Sequence, residues 1–399
     1  MTDLKPGWQR VKFGDVVRLN KETCKDPEAA EINRVIGLEH LEPGDLRVRS
    51  WADVADGTTF SNRVRPGQVL FGKRRAYQRK VAVADFDAIC SGDIYVFESS
   101  DPSRLIPELL PFICQTESFY DYAIGTSAGS LSPRTNWNSL AAYEFTLPPL
   151  EEQGRIAKGL QGASTLANEL ANAARTAASA RTSLVVQLYT CGIRGEPTRM
   201  TSIGEVPCSW SIEPLGNRYN IQLGKMISKA ARLEEGNGIH IPYLRNANVQ
   251  WNKFELEDVA TMAFTEAERK KFSLRSGDIL ACEGRHVGKS AIWRNEIPGA
   301  CYQKALHRLR AIGNDIPEFL LHCLYFFSIT GRFAALTGET TIPHLPAERL
   351  RAIHVAFPSV EEQEEIACVI GSFDSGLESL NKRAGWAKSL IGSLNLEAE

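Results

Sequence analysis

The sequence predicts an α+β molecule: two tandem mixed α/β heads separated by two long antiparallel coiled-coil helices, with pseudo-two-fold symmetry between the copies. Three observations predict it. The segment Leu147-Pro148-Pro149-Leu150-Glu151-Glu152-Gln153, with Ile156 and Ala157, recurs 210 residues later as Phe357-Pro358-Ser359-Val360-Glu361-Glu362-Gln363, with Ile366 and Ala367. Each copy opens a run of apolar residues spaced in alternating steps of four and three. The stretch before each run carries short β-leaning segments bounded by Gly and Pro. A period this long marks duplication of a whole domain rather than a solenoid.

The first head is expected over residues 1–149. Val69-Leu70-Phe71, Val81-Ala82-Val83 and Ile94 to Phe97 read as strands, and Pro107 to Tyr122 as a helical stretch. The second head is expected over 198–359, with counterparts at Ile279 to Ala281, Ala291 to Trp293 and Leu306 to Leu309, and a helical stretch from Pro317 to Phe333. Arg65-Pro66-Gly67-Gln68-Val69-Leu70 matches Arg275-Ser276-Gly277-Asp278-Ile279-Leu280 at the offset of 210, whereas Trp8 and Gly14 match Trp210 and Gly216 at 202. The drift falls around Glu39 and Arg245, as expected of loop insertions in a duplicated domain.

The two helices are expected over 150–197, the central spacer, and 360–399, the second spacer. Ile156, Leu160, Ala163, Ala167, Leu170, Ala174, Ala177, Leu184 and Leu188 form one seam, with Arg181 as its polar position. Ile366, Ile370, Phe373, Leu377, Leu380, Ala384, Ala387, Ile391 and Leu394 form the other. Four heptads of such spacing favour helix pairing. The alternative is that each helix lies on its own head, but both seams outlast a typical globular helix. Connectivity makes the pair antiparallel, since the first helix runs from head to head and the second starts where head two ends. Residues 156 to 188 would span about 50 Å, holding the heads apart. The approximate two-fold that such pairing implies suits a duplex, whose strands are themselves two-fold related.

At 399 residues, 43% hydrophobic and 24% charged, the composition is that of an ordinary soluble chain of two or three domains. No apolar run approaches the roughly 18 residues of a membrane span, and the start lacks a signal-peptide core, so the cytoplasm is the expected location and a membrane is not an expected partner. Nine cysteines without a C-x-x-C pair suggest neither zinc knuckle nor disulfide framework. The formal charge of −2 means that any nucleic-acid surface is local.

Such a surface is expected in the loops. From Gly57 to Ala84 there is no Asp or Glu, while Arg63, Arg65, Lys73, Arg74, Arg75, Arg79 and Lys80 accumulate around Tyr77. A loop of this kind can hold phosphates and offer Arg to guanine edges. Its counterpart in copy two offers Arg285, His286 and Lys289, with Arg245 and Asn246 added where the copies drift. Two polar loops before the last strand of each head supply Ser130, Arg134 and Asn136, and Thr340, Thr341 and His344. These can reach base edges or phosphates, and can equally cap helices or form turns.

Enzyme-like strings fail on inspection. Gly284 to Ser290 lacks the first glycine of a phosphate loop, since position 283 is Glu. Pro148-Pro149 lacks the Asn and aromatic of the adenine-methylating motif, and no glycine-rich cofactor loop accompanies it. Seven scattered histidines offer no catalytic metal spacing, so no cofactor, metal or catalytic residue is expected. Glu151, Glu152, Glu361 and Glu362 suit the first turn of a helix through its dipole.

At the repeated Glu-Glu-Gln-x-x-Ile-Ala pattern heading a seam helix after each head, and at the Ile193-Arg194-Gly195-Glu196 exit, the chain resembles the specificity subunit of type I restriction-modification enzymes. The resemblance covers nearly the whole chain. It implies two target-recognition domains, each reading one half of an interrupted double-stranded DNA sequence, with the helices as a ruler and a dock. It further implies two adenine-N6 methyltransferase subunits as partners, which flip the target base, and two restriction subunits when present. Catalysis would reside in those partners and not in this chain. A coiled-coil scaffold whose heads bind proteins without sequence-specific DNA contact is the alternative.

Overall fold

The computed structural model describes residues 4–226, 239–337 and 344–392. It divides into two compact units, Met1–Arg175 with Glu378–Glu399, and Thr176–Leu377. Each unit therefore holds one head, one end of the central helix (Leu150–Cys191) and one end of the second long helix (Val360–Gly392).

In the first head the expected strands form one antiparallel sheet of β1 (Val17–Leu19), β2 (Val69–Gly72), β3 (Val81–Val83) and β4 (Ile94–Ser99), in the order β1-β4-β2-β3. One apolar cluster, containing Val17, Val69, Phe71, Val81 and Phe97, packs against Phe112, Phe119 and Tyr143. Leu70, Ala82, Ile94 and Val96, at intervening positions of the same strands, join Ile36 and Cys90 of a second sheet in another. With both faces covered, these strands read as near-continuous apolar runs rather than an alternation.

The second head repeats the design with β5 (Tyr219–Leu223), β6 (Ile279–Cys282), β7 (Ser290–Ile292) and β8 (Leu306–Ala311), in the order β5-β8-β6-β7. The two-stranded pair that closes each head repeats as well. Gln9 faces Leu147 in one and Ser211 faces Phe357 in the other, which are the offsets of 202 and 210 seen in the sequence. The repeated glycine is explained by close approach: a Cβ at Gly14 would lie 2.7 Å from the Ala141 Cβ, and one at Gly216 would lie 3.1 Å from the Arg351 Cβ.

Two expected helical stretches are broken. Pro107 to Tyr122 becomes the short helix Leu110–Ile113 and the helix Glu117–Gly125, because the Thr116 hydroxyl accepts from the Phe119 amide and caps a new start. Pro317 to Phe333 becomes Pro317–Ile329 and Arg332–Thr337, interrupted at Gly331, whose φ of 72° is the left-handed conformation that ends a helix.

The repeated glutamine fastens each long helix to its head. The Gln153 amide donates to Arg104 O (2.8 Å) and Pro148 O (2.9 Å), and its Oε1 accepts from Ile106 N (3.0 Å). Gln363 donates to the Asp315 carboxylate (2.9 Å) and to Pro358 O (3.3 Å), and accepts from Ile316 N (2.9 Å). Both side chains are buried, which is tolerable only because three hydrogen bonds satisfy each amide.

Within the second unit the long helices pack antiparallel. Arg181 binds Asp374 through Nε and through Nη2 (3.1 Å), and Arg194 Nη2 binds the Glu365 carboxylate at 2.8 Å, so positions fall along one helix as they rise along the other. Arg181, the polar position of the seam, is therefore a paired residue, and its guanidinium also lies 4.8 Å from the Tyr325 ring centre. Of the expected seam, Leu160, Leu188, Ile366 and Ile370 are buried, while Ile156, Leu170, Leu184, Leu377, Leu380 and Ile391 are half-buried. Phe373 is a correction: it is 38% exposed, and the next residue, Asp374, faces the partner helix instead. The helix ends also serve the heads. Ala157 and Leu160 belong to the first head's core, with Ile391 packed against it, and Val185, Leu188, Tyr189, Ile366 and Ile370 belong to the second's. Helix pairing and helix-on-head packing thus coexist.

Replacing Gln363 by Leu should destabilise the second unit by about 1–3 kcal/mol, because the buried Ile316 amide and Pro358 carbonyl lose their partner while the apolar bulk is kept. Denaturant unfolding of the full chain measures it. An unchanged midpoint would show that the amide is not what fastens the helix.

Candidate nucleic-acid interface

In the first head the basic loop follows β2 and the polar loop precedes the strand Glu144–Leu147, so they are distant in sequence. The fold puts them side by side. Thr135 N donates to Lys73 O (3.0 Å), Arg75 N donates to Pro133 O (2.7 Å), and Arg74 bridges Arg134 through the backbone. The second head repeats the junction: Leu345 N donates to Glu283 O (2.8 Å), and Gly284 bridges His344. A side chain from the adjacent strand pins each polar loop, Tyr95 OH donating to Thr135 O (3.4 Å) and His307 Nε2 lying 2.8 Å from Leu345 O.

The backbone is set as firmly. Arg75 (φ 56°) and Arg285 (φ 61°) occupy equivalent positions and are both left-handed although neither is glycine. Such residues cost of order 1–3 kcal/mol and persist where surrounding bonds over-determine them, as at binding sites. One detail departs from the gapless alignment: Val69 faces Val83 but Ile279 faces Ile292, so the second loop is one residue shorter.

Side chains differ on this common frame. In the first head, Asp93 binds Arg74 Nη1 (3.2 Å) and Arg134 Nε (2.9 Å). Burial opposes the ionisation of Asp93, yet the hydrogen bonds from Arg134 and Arg74 prevail and hold its carboxyl below the usual range. The Ser132 hydroxyl accepts from Arg74 (3.1 Å) and Arg75 (3.2 Å). Lys73 lies 4.7 Å from the Tyr95 ring centre, Tyr77 is 53% exposed, and Ser130 is exposed. Not every cation of the run joins this cluster. Arg79 is paired with Glu117, Lys80 donates to Leu38 O (2.7 Å), and Arg63 binds Asp87 (3.1 Å). The Asn136 side chain accepts from Ser139 N (2.9 Å) and caps the helix Trp137–Ala141.

In the second head the acid changes place. The amides of Lys73 and Glu283 donate to the carbonyls of Asp93 and Ala305, so Glu283 stands where Lys73 does and Ala305 where Asp93 does. Glu283 is buried, which raises its carboxyl, with only partial offset from His344 (3.4 Å) and Lys304. Arg285 and His286 are exposed, and Lys289 donates to Gln250 Oε1 (2.9 Å). Asn246 donates to Gly284 O (3.1 Å), and Arg245 binds Asp258 (2.8 Å). Thr340 and Thr341 lie outside the described residues.

Sequence reading missed Asp93, Ser132, Tyr95, His307 and Glu283, because each acts through a contact across the fold and none belongs to a charged run. The Gly284 to Ser290 string lies between two antiparallel strands with no helix after it, unlike a phosphate loop. Among the described residues no group of three or more His, Cys, Asp or Glu is placed to hold a metal, and no helix is long and apolar enough to cross a membrane.

Comparison with known proteins matches residues 5–177 and 209–384 to the type I restriction modification DNA specificity domain. The type I restriction enzyme MjaVIII specificity subunit of Methanocaldococcus jannaschii is 26% identical over 323 residues, 79% of this chain and 71% of that protein. The EcoDI specificity subunit of Escherichia coli is 27% identical over 169 residues, 40% of this chain and only 36% of that protein's length. Among solved structures, the S subunit of a type I restriction-modification system from M. genitalium aligns over 100% of this chain and 99% of its own, at 15% identity and TM-score 0.62. A chain from a structure of type I R-M complex assembly and conformational transition aligns over 98% and 96%, at 19% identity and TM-score 0.58.

Burial holds the His307 ring down to a pKa of about 4, against roughly 6.5 in an unfolded chain. The folded head then binds fewer protons than the unfolded chain between these values, so its stability falls as pH drops from 6.5 towards 4. His322, buried and also lowered to about 4, acts in the same sense. The unfolding transition of the second unit should lose up to about 3 kcal/mol per histidine across that window. His307→Gln should flatten the dependence. Equal slopes for both proteins would refute the assignment.

Proposed function

The chain belongs to the family of type I restriction-modification DNA specificity proteins, and on that premise we propose that it reads a bipartite, interrupted duplex target through two recognition domains, 1–149 and 198–359. The segments 150–197 and 360–399 act as the ruler between the half-sites and as the dock for two adenine-N6 methyltransferase subunits, with two restriction subunits added where present. The observation that carries this reading is the paired-loop junction: one backbone frame occurs in both heads, with Lys73, Arg74, Arg134 and Asp93 on one copy and Glu283, Gly284, His344 and Ala305 on the other. A common frame gives both heads the same way of approaching a groove. Different side chains give each head a different set of base edges to recognise.

The cations supply affinity and the pinned loops supply discrimination. Arg74, Arg75 and Arg134 can grip phosphates or meet guanine edges, and Lys73 and Tyr77 flank them. In the second head Arg285, His286 and Lys289 are the basic groups. The chemistry of methyl transfer and cleavage is assigned to the partners.

Binding of the chain with its modification partners should weaken with salt at a log–log slope near −0.9 per phosphate neutralised, and inserting base pairs between the half-sites should abolish tight binding. Replacing Arg74 and Arg75 by Ala should cost about 1–3 kcal/mol for each base edge no longer held, at one half-site only. Electrophoretic shift on the target mapped by adenine-methylation sequencing checks all three. Equal binding to target and shuffled duplexes would instead favour the protein-scaffold alternative.

A further inference from the structure

One apolar side chain stands out against the polar loop that carries it. Leu131 is 91% exposed, whereas the nearest large apolar residues on either side of its loop are more covered, Ile124 being 39% exposed and Trp137 half-buried. Its position is built rather than frayed. Ala128 and Arg134 exchange both backbone hydrogen bonds (3.0 and 2.9 Å), closing a small hairpin whose tip runs from Gly129 to Pro133. The tip is fastened again by Arg75 N donating to Pro133 O (2.7 Å), and by Arg74 and Arg75 donating to the Ser132 hydroxyl (3.1 and 3.2 Å). Leu131 is thus held at the apex of a rigid turn, next to the residue that gathers two arginines.

Resting on the DNA-reading function proposed above, we propose that Leu131 is a specificity-determining residue of the first head, packing on the 5-methyl group of a thymine in the major groove. A single exposed leucine is ordinary on a protein surface and by itself carries nothing. Here the surroundings select the partner. An apolar side chain that stands between Ser130 and Ser132 in the chain, on a tip fastened by Arg74 and Arg75, faces a ligand that is anionic and polar except at one point. The thymine methyl is the apolar group that a duplex exposes among its major-groove acceptors and donors, and small apolar side chains recognise it by contact. The arginines fix the loop on phosphate or guanine while Leu131 tests the neighbouring base pair. Such a contact is worth about one buried methylene, so the discrimination is modest, near three- to fivefold.

The test uses the full chain with its modification partners and fluorescent duplexes carrying the mapped target. Each thymine of the target is replaced in turn by deoxyuridine, which removes only the methyl. One replacement should weaken wild-type binding about three- to fivefold, Leu131→Ala should weaken binding to the unmodified target by a similar factor, and the two losses should not add when combined. Additive losses at every thymine, or no loss at any, would overturn the inference while leaving DNA reading intact, provided that wild-type still prefers target to shuffled duplex. Loss of that preference would sink both. Leu131→Met, which keeps apolar contact, should retain the sensitivity to deoxyuridine and exclude loop collapse as the cause.

Discussion

The amide of one glutamine at the foot of each long helix sets how everything above it is held. Gln153 and Gln363 each span three groups: the carbonyl that ends the last strand's exit, a group from the loop before a head helix, and a backbone amide two residues after it or next to it. A helix of this length is a stiff rod, so a small rotation at its foot becomes a large displacement at its far end. Three short bonds in a buried site allow little rotation.

The same logic operates at the loops. Two segments far apart in sequence are sewn together by backbone bonds that do not depend on side-chain identity, namely Thr135 to Lys73 and Leu345 to Glu283. What varies is the decoration, including which position bears the acid: Asp93 in one head, Glu283 in the other. Separating frame from decoration lets a duplicated domain acquire a second set of contacts without losing its fold. The cost of the left-handed arginines is met by the bonds around them.

Much of this was legible beforehand, for identifiable reasons. Strands such as Ile279–Cys282 are apolar on both faces and bounded by Gly and charged residues, so local pattern finds them. The seam was legible where it is apolar and deceptive where it is not. Arg181 looked like a defect until Asp374 was placed opposite it, and Phe373 looked like a seam residue because spacing cannot register that its neighbour has taken the place. Runs of Lys and Arg located the first loop, yet they overcounted it, since Arg63, Arg79 and Lys80 turn to Asp87, Glu117 and Leu38. The groups that pin the loops, Tyr95 and His307, stayed hidden because a strand residue's partner in a distant loop leaves no periodic trace.

Net charge conceals the electrostatics in a similar way. The chain carries a formal charge of −2, but the balance is struck locally. Arg74 and Arg134 share the single carboxylate of Asp93, which leaves that trio with an excess positive charge, and Arg75 adds another beside it on Ser132. The shared acid orients both guanidiniums, and against the opposing effect of burial their hydrogen bonds hold its carboxyl below the usual range. Each guanidinium has five donors, and Asp93 occupies only some of them. A half-buried carboxylate thus holds two cations still while leaving the trio net positive.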